Sequence, residues 1–172
     1  MRRARGRDRA AQRHRRGLPG GCLVSETAPA ELTREDREEL VALGHAYAFA
    51  ADARDFEGFA ALFTPDGVLI PSRGRYDGRE AIAKGVSGLR RYDRTYHFVG
   101  QSRFWVEDGV VRGETYCIAH HFTETEDEGT RDRVMYIHYR DVYARHEGAW
   151  RFAHRELGVV WAGQEDKPDG PS

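Results

Sequence analysis

Residues 95–123 read TYHFVGQSRFWVEDGVVRGETYCIAHHFT. Apolar and aromatic side chains alternate there with polar ones, and Asp108-Gly109 divides the run with a dipeptide suited to a two-residue hairpin turn. The C-terminal half therefore reads as a sheet. Four strands are expected near residues 95–106, 110–123, 132–145 and 149–161, the last two joined through Glu147-Gly148, all paired as an antiparallel meander. Residues 163–172 read as a flexible polar tail.

Upstream the period changes. Thr33 has the character of an N-cap with Asp36 three positions on, and Leu40, Val41, Leu43, Tyr47, Ala48 and Ala51 recur close to every 3.6 residues. The spacing predicts one long amphipathic helix to about Arg54. Asp55 caps a second, shorter helix carrying Phe56, Phe59, Leu62 and Phe63, which Thr64-Pro65-Asp66-Gly67 ends. A strand over Val68 to Ile70 follows, then an Asp77-Gly78 turn and a third short helix from Arg79 to Gly88. Helices first and strands afterwards predict an α+β architecture with one sheet face packed on the helices.

The chain has 172 residues, one domain's worth, and its 40% apolar and 32% charged content is too apolar for a disordered chain. No run approaches the roughly 18 apolar residues of a membrane span, so no membrane association is expected. The net charge of −1 is uneven: eight Arg and one Asp give residues 1–16 a charge of +7, which leaves −8 on the rest. Residues 1–32 are expected to form a disordered Arg-rich extension, with Val24 suited to be the true start. Nucleic acid is a weak candidate partner, and no apolar segment follows the arginines as a secretory signal requires. With Cys22 and Cys117 alone, neither a disulfide framework nor a Cys-based zinc site can be built, which fits a cytoplasmic location. Cys117 reads as a small buried hydrophobe. No phosphate loop or nucleophile motif is found, and neither a cofactor nor a metal is expected.

The order YAFAADARDFEGFAALFTPDG, YDGREAI, YHFVG and then YRDVYARHEGAWRFAHREL resembles the SnoaL-like branch of the nuclear-transport-factor-2-like superfamily over residues 33–162. The resemblance implies a cone: a curved, antiparallel-rich sheet wrapped around the long helix, with two shorter helices and an apolar pocket inside. It also implies association into a homodimer or homotrimer through the outer sheet face. Members include polyketide cyclases, dehydratases, ketosteroid isomerases and non-catalytic subunits, so fold alone does not choose an activity.

The bile-acid dehydratases of the superfamily carry a Tyr, Asp, His and Arg set, and the resemblance places the matching residues at Tyr47, Asp52, His97 and Arg155. A carboxylate and an imidazole in a dry pocket form an acid-base pair, while Tyr47 and Arg155 could hold a developing oxyanion. Five residues of helix separate Tyr47 from Asp52 by about 140°, so both reach one pocket only if the helix end is distorted. Arg155 has a structural alternative, pairing with a carboxylate such as Asp141. Scytalone dehydratase uses a second histidine from its sheet, for which Tyr116, His120 or His138 could stand here. His120 and His121 point to opposite faces, and parity leaves open which lies inside. Phe63, Tyr116, His120, Trp105 and Trp161 are the candidate substrate-binding residues. The expected function is cofactor-independent dehydration, isomerisation or cyclisation of a hydrophobic, carbonyl-bearing, polyketide-like metabolite of secondary metabolism. The alternative is a non-catalytic binding or assembly subunit, as in the small subunit of ring-hydroxylating dioxygenases.

Overall fold

The computed structural model describes residues 29–126 and 129–167. Thr33 closes a capping box: its Oγ1 accepts from the Asp36 N–H at 3.1 Å, and its own N–H donates to the Asp36 carboxylate at 2.9 Å. Helix α1 runs behind this cap over Arg34–Asp52. Asp36 also accepts from Trp150 Nε1 at 2.9 Å and Arg145 Nη2 at 2.7 Å, which ties the start of α1 to the last hairpin. Leu32, placed by sequence in the N-terminal extension, is buried in the core instead. Residues 1–28, with the proposed start at Val24, lie outside the described residues.

Asp55 caps α2, Phe56–Ala61, through the Gly58 N–H. Strand β1 then spans Phe63–Ile70, so Phe63 belongs to a strand and not to the helix its spacing suggested. The reason is long-range: Phe63 pairs with Phe152 far along the chain, and an irregularity absorbs residues 64–67 before Val68 meets His154. Strand β2, Tyr76–Asp77, is too short to leave a periodic signal. Helix α3, Arg79–Val86, passes into a 3₁₀ turn over Ser87–Arg91. The meander follows as β3 Arg94–Glu107, β4 Val110–Thr125, β5 Gly129–His146 and β6 Ala149–Lys167. The expected tail from Gly163 is thus strand as far as Lys167, held by pairing with β5.

The sheet order is β2-β1-β6-β5-β4-β3, antiparallel except where β1 runs parallel to β6. Both tight hairpins have two central residues at positive φ, Asp108 (51°) with Gly109 (71°) and Glu147 (54°) with Gly148 (77°), as the twist of paired strands demands. Register irregularities at Val99/Ser102, Tyr136/Ile137 and Val142/Tyr143 bend the long strands over α1. Gly113 permits that approach, since a Cβ there would come within 2.8 Å of Phe104 and 2.9 Å of Tyr143.

Pairing also settles the faces. Val111, Thr115, Cys117, Ala119 and His121 of β4 are buried on the inner face, and Tyr116 and Ile118 are exposed on the outer one. Under the inner face, Tyr47, Phe59, Phe63, Tyr139 and Phe152 pack ring against ring, with centroids 4.4 to 6.4 Å apart. Emptying one such buried ring costs about 3–5 kcal/mol in cores of this kind. No helix among the described residues is long and apolar enough to cross a membrane.

Candidate functional site

Asp52 is the last residue of α1, where the chain leaves the helix and its carboxylate can turn toward β3. There Oδ2 accepts from the backbone N–H of His97 at 2.9 Å, and Oδ1 lies 2.6 Å from His97 Nδ1 and 2.8 Å from Thr95 Oγ1. A carboxylate only accepts, so both Nδ1 and Oγ1 donate, and in the neutral imidazole it is Nε2 that carries the lone pair. Burial pushes the Asp52 carboxyl up, but the hydrogen bonds and charge of His97 and the Thr95 hydroxyl outweigh it, and the net shift is downward. Asp52 therefore stays ionised at neutral pH and fixes the tautomer of His97.

Two further residues complete this arrangement. Arg54, just past the helix end, adopts the left-handed region at φ 62°, a conformation uncommon outside glycine. Its guanidinium offsets that cost, donating to Thr95 Oγ1 at 2.7 Å, to the Ala51 carbonyl at 3.1 Å and to the Tyr92 carbonyl at 3.3 Å. With Arg54 donating to Thr95, the one hydroxyl proton of Thr95 is directed at Asp52. On β4, the ring of His121 lies edge-on to His97 at 5.7 Å and 4.8 Å from Tyr92. His121 Nδ1 donates to the Arg133 carbonyl at 3.2 Å. Burial, followed by the charge of His97 and those of Arg133 and Arg91, pushes His121 down to about 4, against the opposing pull of that carbonyl. It is neutral at pH 7, with Nε2 an acceptor.

Residues 33–156 match the model of the SnoaL-like domain. The chain belongs to the SnoaL-like family. No curated protein matches it. Among solved structures this SnoaL-like protein resembles a Mycobacterium tuberculosis protein of unknown function at 24% identity, over 73% of this chain and 72% of that one, TM-score 0.63. It also resembles a Novosphingobium aromaticivorans protein named provisionally as a scytalone dehydratase, at 21% identity over 80% and 95% of the two chains, TM-score 0.67. A type 2 hexachlorocyclohexane dehydrochlorinase matches at 19% identity over 80% and 96%, TM-score 0.68. Identities this low establish a shared fold, described for another neighbour as cystatin-like.

Within the SnoaL-like frame, Asp52 and His97 come together and the other expected residues do not join them. Arg155 is 1% exposed and clamps Asp141 through Nε and Nη2, both at 2.8 Å, while Tyr143 donates to the same carboxylate at 2.9 Å. Its guanidinium is packed 3.9 to 4.3 Å from the rings of Phe152, Tyr139 and Tyr47. Arg155 is thus the structural partner of Asp141, and Tyr47, its phenol pushed up to about 12 chiefly by burial, belongs to the same core. Phe63 is wholly buried in that cluster.

The remaining candidates face outward. Tyr116 packs at a tilt against His138 at 4.9 Å, and Trp161 packs on Tyr136 at 5.1 Å. His120 Nδ1 meets Asp132 at 2.8 Å, and Trp105 lies beneath Arg103. Strand parity puts all four on the face opposite the dyad. The second histidine beside His97 is His121, which alternation could have indicated once the inner face was known. Thr95 and Arg54 left weaker traces: a polar residue two before His97, and a helix ending in Ala53-Arg54 where glycine is usual. Among the described residues, no group of three or more His, Cys, Asp or Glu is placed to hold a metal ion.

Proposed function

We propose that this SnoaL-like protein is a cofactor-independent lyase or isomerase in which His97 Nε2 removes a proton next to a carbonyl of a hydrophobic metabolite. The observation that carries the reading is the double hold of Asp52 on His97, which aims the free lone pair and stabilises the imidazolium formed on proton transfer. His121, neutral and with its ring centre 5.7 Å from that of His97, supplies an acceptor for a substrate hydroxyl. The proton held on His97 then returns to a departing oxygen, giving dehydration, or to another carbon, giving isomerisation. The family and its dehydratase and dehydrochlorinase neighbours support this chemistry, and a polyketide-like substrate is the preferred class. Kinetics of Asp52→Asn and His97→Ala against the native chain test it.

A second reading, self-assembly alongside catalysis, is favoured by the outer face. Phe98, Tyr116, Ile118, Tyr136 and Val160 line a groove of about 310 Å³ there. With Tyr96 and Trp161 these exposed side chains form a large apolar face, the kind of surface that marks an interaction site. Beside them Arg103, Glu114, Arg140 and Glu156 alternate in sign across four paired strands, a row that an inverted copy of itself complements. A second copy of this chain is therefore the proposed occupant, which is compatible with a catalytic site on the inner face.

A further inference from the structure

Resting on the reading of Asp52 and His97 as an acid-base pair, we infer that the substrate carries an anionic group, a carboxylate or an equivalent oxyanion, held by Arg91 and Arg133 beside His121.

Arg133 is the register partner of His121 across β4 and β5, so its side chain leaves the same inner face, and its carbonyl takes the His121 Nδ1 proton. Arg91 comes from the 3₁₀ turn on the other side, its guanidinium 5.1 Å from the Tyr92 ring, which is itself 4.8 Å from the His121 ring. Both side chains thus lie near enough for their positive charge to act on the His121 imidazole. Both arginines are exposed, and neither has a carboxylate partner among the described residues. The nearby acids are engaged elsewhere. Asp52 is taken by Thr95 and His97, Asp93 accepts from the Glu124 N–H, and Glu124 pairs with Arg94 and Thr130.

Unpaired positive charge at the rim of a partly buried site attracts an anion, and a planar guanidinium presents paired donors that match a carboxylate. An anionic group there would be anchored at the rim, with the apolar body of the ligand reaching inward past His121 to His97. Burial is the main cause of the depressed His121, and the charges of Arg133 and Arg91 push it in the same direction, since nearby positive charge disfavours its protonation.

Binding of 2-naphthoate and of 2-naphthylmethanol, two probes of one shape that differ in charge, tests the inference by calorimetry at low salt, with the His121 ring followed by NMR. The native chain is expected to bind the carboxylate at least roughly tenfold more tightly, with the His121 resonances perturbed and the pH at which they titrate raised. Arg133→Gln and Arg91→Gln should each weaken naphthoate and spare the alcohol, and the double variant should erase the preference. Equal binding of both probes, no naphthoate binding at millimolar concentration, or a preference that survives in the double variant would overturn it. Asp52→Asn in the same assay separates the two proposals: it keeps the anion preference, whereas its turnover reports on the acid-base pair alone.

Discussion

Asp52 holds His97 at two points, accepting from the imidazole Nδ1 at 2.6 Å through Oδ1 and from the backbone N–H at 2.9 Å through Oδ2. One bond orients the ring and the other anchors the strand that carries it, so the carboxylate fixes both the tautomer and the position of Nε2. The Arg54 to Thr95 chain behind it supplies the remaining proton to Oδ1.

Asp52→Asn should preserve the shape of the site and remove its charge. The amide can donate to Nδ1, which would place the proton on Nε2 and block proton abstraction. Turnover should fall about 10²- to 10⁴-fold with the circular-dichroism spectrum and melting temperature little changed, the span expected for one general base.

Thr95→Val removes the hydroxyl that links Arg54 to Asp52. Leaving those half-buried groups short of a partner should cost about 1 kcal/mol in urea denaturation, with a smaller loss of turnover than Asp52→Asn gives. A larger loss of turnover than Asp52→Asn would place Thr95, and not Asp52, at the centre of the site.

Arg155→Ala should act on stability. It strands the Asp141 carboxylate in the core, a change that costs about 3–5 kcal/mol for a buried pair, and it leaves the rings of Tyr47 and Tyr139 without their packed guanidinium. Pairing it with Asp141→Leu should restore part of the loss. A folded, stable Arg155→Ala protein without turnover would return Arg155 to the catalytic set.

His121 makes stability depend on pH with a defined sign. Its folded value near 4 lies below the ordinary value of 6.5, so between the two the unfolded chain binds more protons. Stability is full above pH 6.5 and declines as pH falls toward 4, by up to about 3 kcal/mol from this group. His121→Phe should flatten that limb of the stability profile, measured by urea denaturation at a series of pH values.

The outer face predicts a dimer. Light scattering should give twice the chain mass for the native protein and a monomer for Ile118→Lys, which puts a charge in the groove. A native monomer at micromolar concentration would remove the second copy from this face.

Much of this fold is written in local sequence. The Thr33 capping box, the Asp108-Gly109 and Glu147-Gly148 turns and the long alternating strands are local signals, and local geometry realises each of them. Asp52 and His97 were legible through the family pattern. What escaped depended on long-range pairing. Phe63 reads as helix until Phe152 is known to lie beside it, and the faces of β4 follow only from its register with β3. That register moved Tyr116 and His120 outward and brought in His121. Arg155 carried both readings in the sequence, and Asp141, fourteen residues away on the neighbouring strand, decided between them.

The proposed chemistry has His97, held by Asp52, remove a proton from carbon. Its most direct measurement is deuterium uptake from D₂O at the carbon next to the carbonyl, across a panel of hydroxy-ketones and polyketide-like compounds, for the native protein, Asp52→Asn and His97→Ala. Uptake is expected for the native protein, with a loss of at least roughly a hundredfold in both folded variants. Undiminished uptake in either variant, or a ligand bound beside His97 with no exchange at all, would contradict it.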